Sequence, residues 1–469
     1  MTVPKWSQVV GCQLVLILLV AATTAAEPDA SSEKEALQKN EAAPEDNAAS
    51  GPLVTVGKDT TVLTEPLDEE GYVDYVAHLN QVASKGVTTK NNAAMLLAQV
   101  YGPTDIAEEF REDYYKRLGI DPPPAEGDYF RDYLMFADED NVEEIEQQLE
   151  TASNRPWQAD EFPRLAEWLA ANEKPLALTI EASQRPKLYY PLIGGPPLVA
   201  ALLPNLSNAR HLAKALAARA MLRMGEMNFK AAREDLLTIH RLAHMHDQGT
   251  TPIAALVAIA LDRIALNVET NLARSELLIA DQARQMQRDI AALPTLSPIQ
   301  QRIDQTERFS FLDSAIWIAR NPKDAEFFEL PPTIAKIVGD SVDWNETLRY
   351  GNGWYDRLAA ALEQPDYRKQ KAAFDEIDRD LQDLAKNFKG SERVTKLLLS
   401  SGNARRKLMG QTTGELLVAI MLPAISSAND AALRHVAQRR LVSTSFALAA
   451  YEKDHGMYPG ELEKLVPDY

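Results

Sequence analysis

Cysteine is almost missing from this 469-residue chain. Its one copy, Cys12, lies ahead of most of an apolar run, whereas a lipid-attachment cysteine would follow it. A chain cleaved near Ala26 therefore carries no thiol, and disulfides, thiolate catalysis and cysteine-ligated zinc drop out together. Positive charge is the second shortage: 49 Lys and Arg against 68 Asp and Glu leave a net charge of -19. Nucleic acid and anionic membrane surfaces need clustered cations, so neither is expected as a partner. No phosphate-cradling glycine loop, nucleophile elbow or dinucleotide fingerprint occurs, and no cofactor is expected. The acidic cluster Asp375, Glu376, Asp378, Asp380 and Asp383 lacks the glycine and alternate-residue spacing of a calcium loop, so it reads as a solvated helix face.

Long hydrophobic runs are scarce too. The one near the start, Leu14 to Ala22, follows Lys5 and leads into Ala25, Ala26 and then acidic Glu27. That is the pattern of an export signal over 1–26, and it is too short for a comfortable membrane span. An uncleaved anchor over Val9 to Ala26 is the alternative. After cleavage no stable membrane span is expected, and the location is the periplasm, the cell envelope or the exterior. Residues 27–66 are rich in Ala, Glu, Ser and Pro at their start and read as a disordered acidic linker. Val54 to Leu63 alternates enough to suggest one short strand.

What the chain has in quantity is helical periodicity. In Ser207 to Ala292, polar Ser207, His211 and Lys214 alternate with Leu212, Ala215, Leu216 and Leu222. Gly225 breaks this helix. Phe229, Ala232, Leu236, Ile239 and Ala243 then line the inner face of a second, antiparallel one. Thr251 and Pro252 form the cap and first turn of a third, whose stretch from Ile253 to Leu261 is apolar almost all round and so belongs at the centre. A fourth follows from Asp281 to Leu293. Elsewhere helices fit Asp105 to Leu118, Asn141 to Thr151, Asp160 to Asn172 and Ile299 to Arg320. Tyr367, Phe374, Ile377, Leu381, Leu384 and Phe388 keep a near-heptad seam. The expected fold is all-α: an irregular bundle or solenoid-like array of antiparallel helix pairs behind a disordered tether. Its expected regions are 67–204, 205–412 and 413–469.

Two features invite chemistry. Residues 185 to 204, with Pro186, Tyr189, Tyr190, Pro191, Gly194, Gly195, Pro196 and Pro197, form a long irregular connection, either one wall of a cleft or a seam between helical layers. His240, His244 and His246 are the only close histidine cluster and the candidate metal ligands, although Arg241 stands where a zinc protease helix carries glutamate. The bland reading of these rings is partly buried and hydrogen-bonded.

Several blocks resemble a family of uncharacterised bacterial secreted proteins: Gly71 to Asn80, Asn91 to Leu97, Pro156-Trp157 through Leu176, Asp235 to Ala243, and Trp354 to Leu358. That resemblance implies export and helical architecture. Arg219 to Ala243 also resembles one tetratricopeptide-type hairpin. The tail from Ala449 to Val466 resembles the segment after the first helix of type II secretion pseudopilins. Gly410, Glu415 and the run Leu416 to Leu422 are similar to a shortened, internal prepilin segment. On the helix between them, Leu433, Ala437, Leu441, Thr444, Leu448 and Tyr451 share one face, Gly456 ends it, and Tyr458-Pro459 turns the chain into a short final helix. The resemblance implies an envelope or secretion-system protein as partner. The expected function is a non-catalytic interaction or structural component of the envelope. The alternative is a secreted or periplasmic hydrolase with its cleft between residues 185–204 and the central helices.

Overall fold

Helix follows where apolar residues recur at spacings of three and four, and several ends fall at capping side chains or glycines, as at Asn228, Thr251, Gly119 and Gly456. The computed structural model describes residues 52–104, 106–136, 142–194, 197–201, 206–299, 302–322, 342–387, 401–422 and 424–469. The expected signal, most of the acidic linker, Cys12 and Phe388 lie outside them. Among the described residues there is no strand, only two isolated bridges, so the architecture is all-α as expected.

The helices are α1 Tyr75–Ala83, α2 Ala94–Tyr101, α3 Glu108–Leu118, α4 Tyr133–Phe136, α5 Val142–Asn154, α6 Pro163–Ala171 and α7 Glu173–Ser183. Then come α8 Leu206–Gly225, α9 Phe229–His246, α10 Pro252–Leu272, α11 Ala280–Ala292, α12 Arg308–Arg320 and α13 Trp344–Leu362. The last are α14 Tyr367–Asn387, α15 Gly402–Met421 and α16 Ala424–His455, with a short 3-10 turn at Leu462–Leu465. Their contacts divide into two units that do not follow the three sequential regions. The first draws on Met1–His78, Gly195–Ala200 and Ile303–Ser427, the second on Leu79–Gly194, Ala201–Arg302 and Ala428–Tyr469.

In the first unit α13 packs on α12 and α15. Gly410 and Gly414, one turn apart on α15, allow the approach: a Cβ at Gly410 would lie 2.1 Å from the Asp343 carbonyl oxygen. Thr347 Oγ1 donates to the Gly410 carbonyl at 2.8 Å, so the glycine that looked like part of a prepilin pattern is also a packing residue. Residues 52–66 depart from the expectation of a linker and of a strand. Thr60, Thr61 and Val62 direct their amides to the Gly57 carbonyl in a tight turn, and Val54, Thr60 and Thr61 are buried. The threonine hydroxyls satisfy this backbone locally, which is why alternating Val and Thr did not extend into a ladder.

In the second unit α8, α9 and α10 pack on one another around a core that includes Leu216, Leu236, Ile239, Leu261 and Leu266. The local signals worked as read. Asn228 accepts from the Ala231 amide to start α9, and Thr251 accepts from the Ala254 amide at 3.1 Å with Pro252 next. Gly225 ends α8 under Trp157, whose carbonyl leaves no room for a Cβ there and whose indole donates to the Ala218 carbonyl at 3.1 Å. The face of the tail helix shared by Ala437 and Leu441 turns outward. His435, Val442, Phe446, Ala449 and Ala450 face inward, while Ala437 and Leu441 are exposed. Gly456, at φ 72°, does end α16.

Candidate functional site

The third central helix, α10, is buried almost throughout, yet it carries two carboxylates. Asp262 and Glu269 are seven residues apart, two turns along one face, so they point the same way from the same stripe. A buried carboxylate needs a partner or must give up its charge. The partner is His240 of α9: its Nδ1 lies 2.6 Å from Asp262 Oδ1 and its Nε2 3.1 Å from Glu269 Oε1. The other Asp262 oxygen receives His435 Nε2, from α16, at 2.6 Å. All four side chains are 4% exposed or less.

Burial opposes charge on the His240 ring, but the carboxylates of Glu269 and Asp262 outweigh it and push its pKa up to about 10. Burial alone would raise Asp262; His240 and His435 instead hold it well below the usual carboxylate range. At Glu269 burial dominates and raises the pKa, and its Oε2 has no hydrogen-bond partner among the described residues. The cluster is thus an imidazolium clamped between two carboxylates, with both ring nitrogens used as donors. Both ring nitrogens are taken up by carboxylate oxygens, so neither is directed at a metal. A second buried clamp ties α8 to α9, where Asp235 takes two bonds from Arg219, at 2.7 and 3.1 Å, and one from Arg223 at 2.6 Å.

The candidate metal ligands His240, His244 and His246 do not converge. Among the described residues no three His, Cys, Asp or Glu side chains stand where they could hold an ion. His240 turns to its carboxylates. His246 is buried against Tyr190, with ring centroids 6.1 Å apart, and burial drives its pKa down to about 4, so it is neutral. His244 is half-buried and also lowered, first by burial. One helix does not converge three imidazoles at offsets of four and two, because those positions fan over about 160° of its circumference.

The irregular connection is stitched down. Asn92 accepts from the Tyr189 amide at 2.9 Å and donates to its carbonyl at 3.1 Å. Asn80 does the same for Leu192, at 2.9 and 3.0 Å. Gln248 receives the Leu188 amide and donates to the Pro186 carbonyl. Behind it lies a cavity of about 50 Å³ lined mainly by apolar groups, among them Leu188, Leu192, Met245, His246 and Ala254. That holds a water or two, against the roughly 300 Å³ or more of a typical substrate pocket.

Sequence reasoning reached His240 but missed Asp262, Glu269 and His435. One signal was available: two acids on a helix apolar all round must find counter-charges inside. In the first unit Asp313 is a comparable case, a carboxyl that burial pushes up to about 7 although the Leu198 amide lies 2.5 Å away. No protein-family model, curated protein or solved structure matches the chain.

Proposed function

We propose that this chain is an exported, non-catalytic component of the cell envelope that offers a helical surface to another protein, an envelope or secretion-system component. The carrying observation is the tail. Met457, Tyr458, Leu462 and Val466 are apolar and exposed, between 59% and 76%, within ten residues of the segment that resembles a pseudopilin. Grouped apolar side chains facing water mark interaction surfaces. Leu465 and Tyr469 anchor the segment beneath them: Leu465 is buried and the Tyr469 hydroxyl donates to Asp454 at 2.6 Å. Export rests on the pattern of residues 1–26, and the absence of any long apolar helix among the described residues fits a chain without a span there.

The hydrolase reading has less support, because the groups best placed for acid-base work are sealed and the cavity beside 185–204 is too small for a substrate. The test is site-specific photo-cross-linking of the full chain in a bacterial host, with probes at Leu462 and Val466 and controls at Asp378 and Gln382 on α14. Discrete products at the tail positions alone are expected. No product, or the same products at all four positions, overturns the proposal.

A further inference from the structure

The outer face of α16 is open at Ala437 and Leu441 and half-buried at Thr444, Leu448 and Tyr451, where the Tyr451 ring packs on His455 and Tyr469. Ala437, Leu441, Thr444, Leu448 and Tyr451 are spaced four, three, four and three apart, a heptad seam of about 21 Å at 1.5 Å per residue. Leu441, in its middle, is 68% exposed, and Val436 beside it 43%. The inward face of the same helix is already filled by His435, Val442 and Phe446.

Charge along the helix and the tail that follows is segregated. Residues 434 to 440 hold three arginines and no acid, and residues 452 to 463 hold four carboxylates and one lysine. Arg439 is spent on the carbonyls of Ile290 and Leu293, whereas Arg440 is exposed and makes no ion pair among the described residues. A helix basic at one end and acidic at the other complements itself when two copies run antiparallel. In that register Leu441 of one copy meets Tyr451 of the other, and Arg440 stands across from Glu452, Asp454 being held within its own copy by Arg284 and the Tyr469 hydroxyl. A parallel arrangement would set arginine against arginine.

We infer that the outer seam of α16 is an antiparallel pairing surface for a second copy of this chain. The seam is one helix wide, roughly 10 Å, well short of the roughly 800 Å² per partner of a standard interface. The pair is therefore reversible and concentration-dependent. This contact is separate from the tail surface proposed above, so failure of the tail cross-links leaves it standing and the reverse also holds.

Sedimentation velocity of the purified chain tests it. A monomer giving way to dimer over micromolar concentrations is expected, and Leu441→Asp keeps the same helix content and stays monomeric. With Cys12 replaced by serine, Leu441→Cys mixed with Tyr451→Cys forms an intermolecular disulfide, while either alone does not. A chain monomeric at all concentrations overturns the inference. So does a dimer that survives Leu441→Asp, or a disulfide formed by Leu441→Cys alone.

Discussion

Replacing His240 by leucine tests whether the buried charge cluster holds the second unit together. The substitution removes the cation between Asp262 and Glu269 and leaves two carboxylates facing each other in an apolar interior. The pKa rise from 6.5 to about 10, at about 1.4 kcal/mol per unit, corresponds to roughly 5 kcal/mol of favourable interaction with the protonated ring. Removing one partner of a buried pair costs about 3–5 kcal/mol. The two agree, so a loss of about 4 kcal/mol is expected at pH 7. Protonation of Glu269, whose pKa is already raised, would relieve part of it. The pH dependence carries a sign. The folded state keeps the His240 proton to about pH 10 and the unfolded chain releases it near 6.5, so the contribution is complete below pH 6.5 and lost as pH rises through about 10. Two contact units need not unfold in one step. Hydrogen exchange of the α10 amides is therefore the assay, because it reports the second unit alone. Protection in the leucine variant falling by less than fivefold, about 1 kcal/mol, would refute the reasoning.

Three further outcomes follow from the packing. Gly410→Ala places a methyl 2.1 Å from the Asp343 carbonyl and should destabilise the first unit by roughly 2 kcal/mol; Gly353→Ala, whose Cβ would meet nothing within 4 Å, should stabilise it by up to about 1 kcal/mol in the same urea titration. His246, held at a pKa of about 4, gives a contribution present above pH 6.5 and lost as pH falls through about 4, so His246→Phe should flatten the decline of about 3 kcal/mol over that window in thermal melts at pH 7, 5.5 and 4. Asn92→Ala strands the Tyr189 amide and carbonyl and should cost roughly 2 kcal/mol, seen as faster proteolytic nicking within residues 185–194.

Sequence periodicity made the central hairpins legible because each of their signals is local. Thr251 and Pro252 specify a helix start whatever surrounds them, and the spacing of Phe229 to Ala243 faces one way in any bundle. The cluster was not legible for the opposite reason. His435 is 173 residues from Asp262, and nothing within reach of either announces the other. The turn at 52–66 was misread because its valines and threonines alternate like a strand, while hydroxyl-to-backbone bonds from Thr60 and Thr61 decided the conformation.

Helix α16 shows how a buried polar group can decide which apolar face turns inward. Two faces of it are apolar at helical spacing, one through Val442, Phe446 and Ala449, the other through Ala437, Leu441, Thr444 and Leu448. The first also carries His435 and lies near Arg439, so by polarity alone it belongs outside. It is inside because partners wait there: the Asp262 carboxylate for the imidazole, and the carbonyls that end α11 for the guanidinium. Each polar group exchanges water for a charge-assisted bond, so the cost of its burial is offset. The one polar group on the second face, the Thr444 hydroxyl, is satisfied by the Arg440 carbonyl of its own helix, and Leu441 stands exposed. Apolar surface grouped on one exposed helix face marks a site of interaction. Its presence opposite a face held by such specific bonds is the reason to expect that something else covers it.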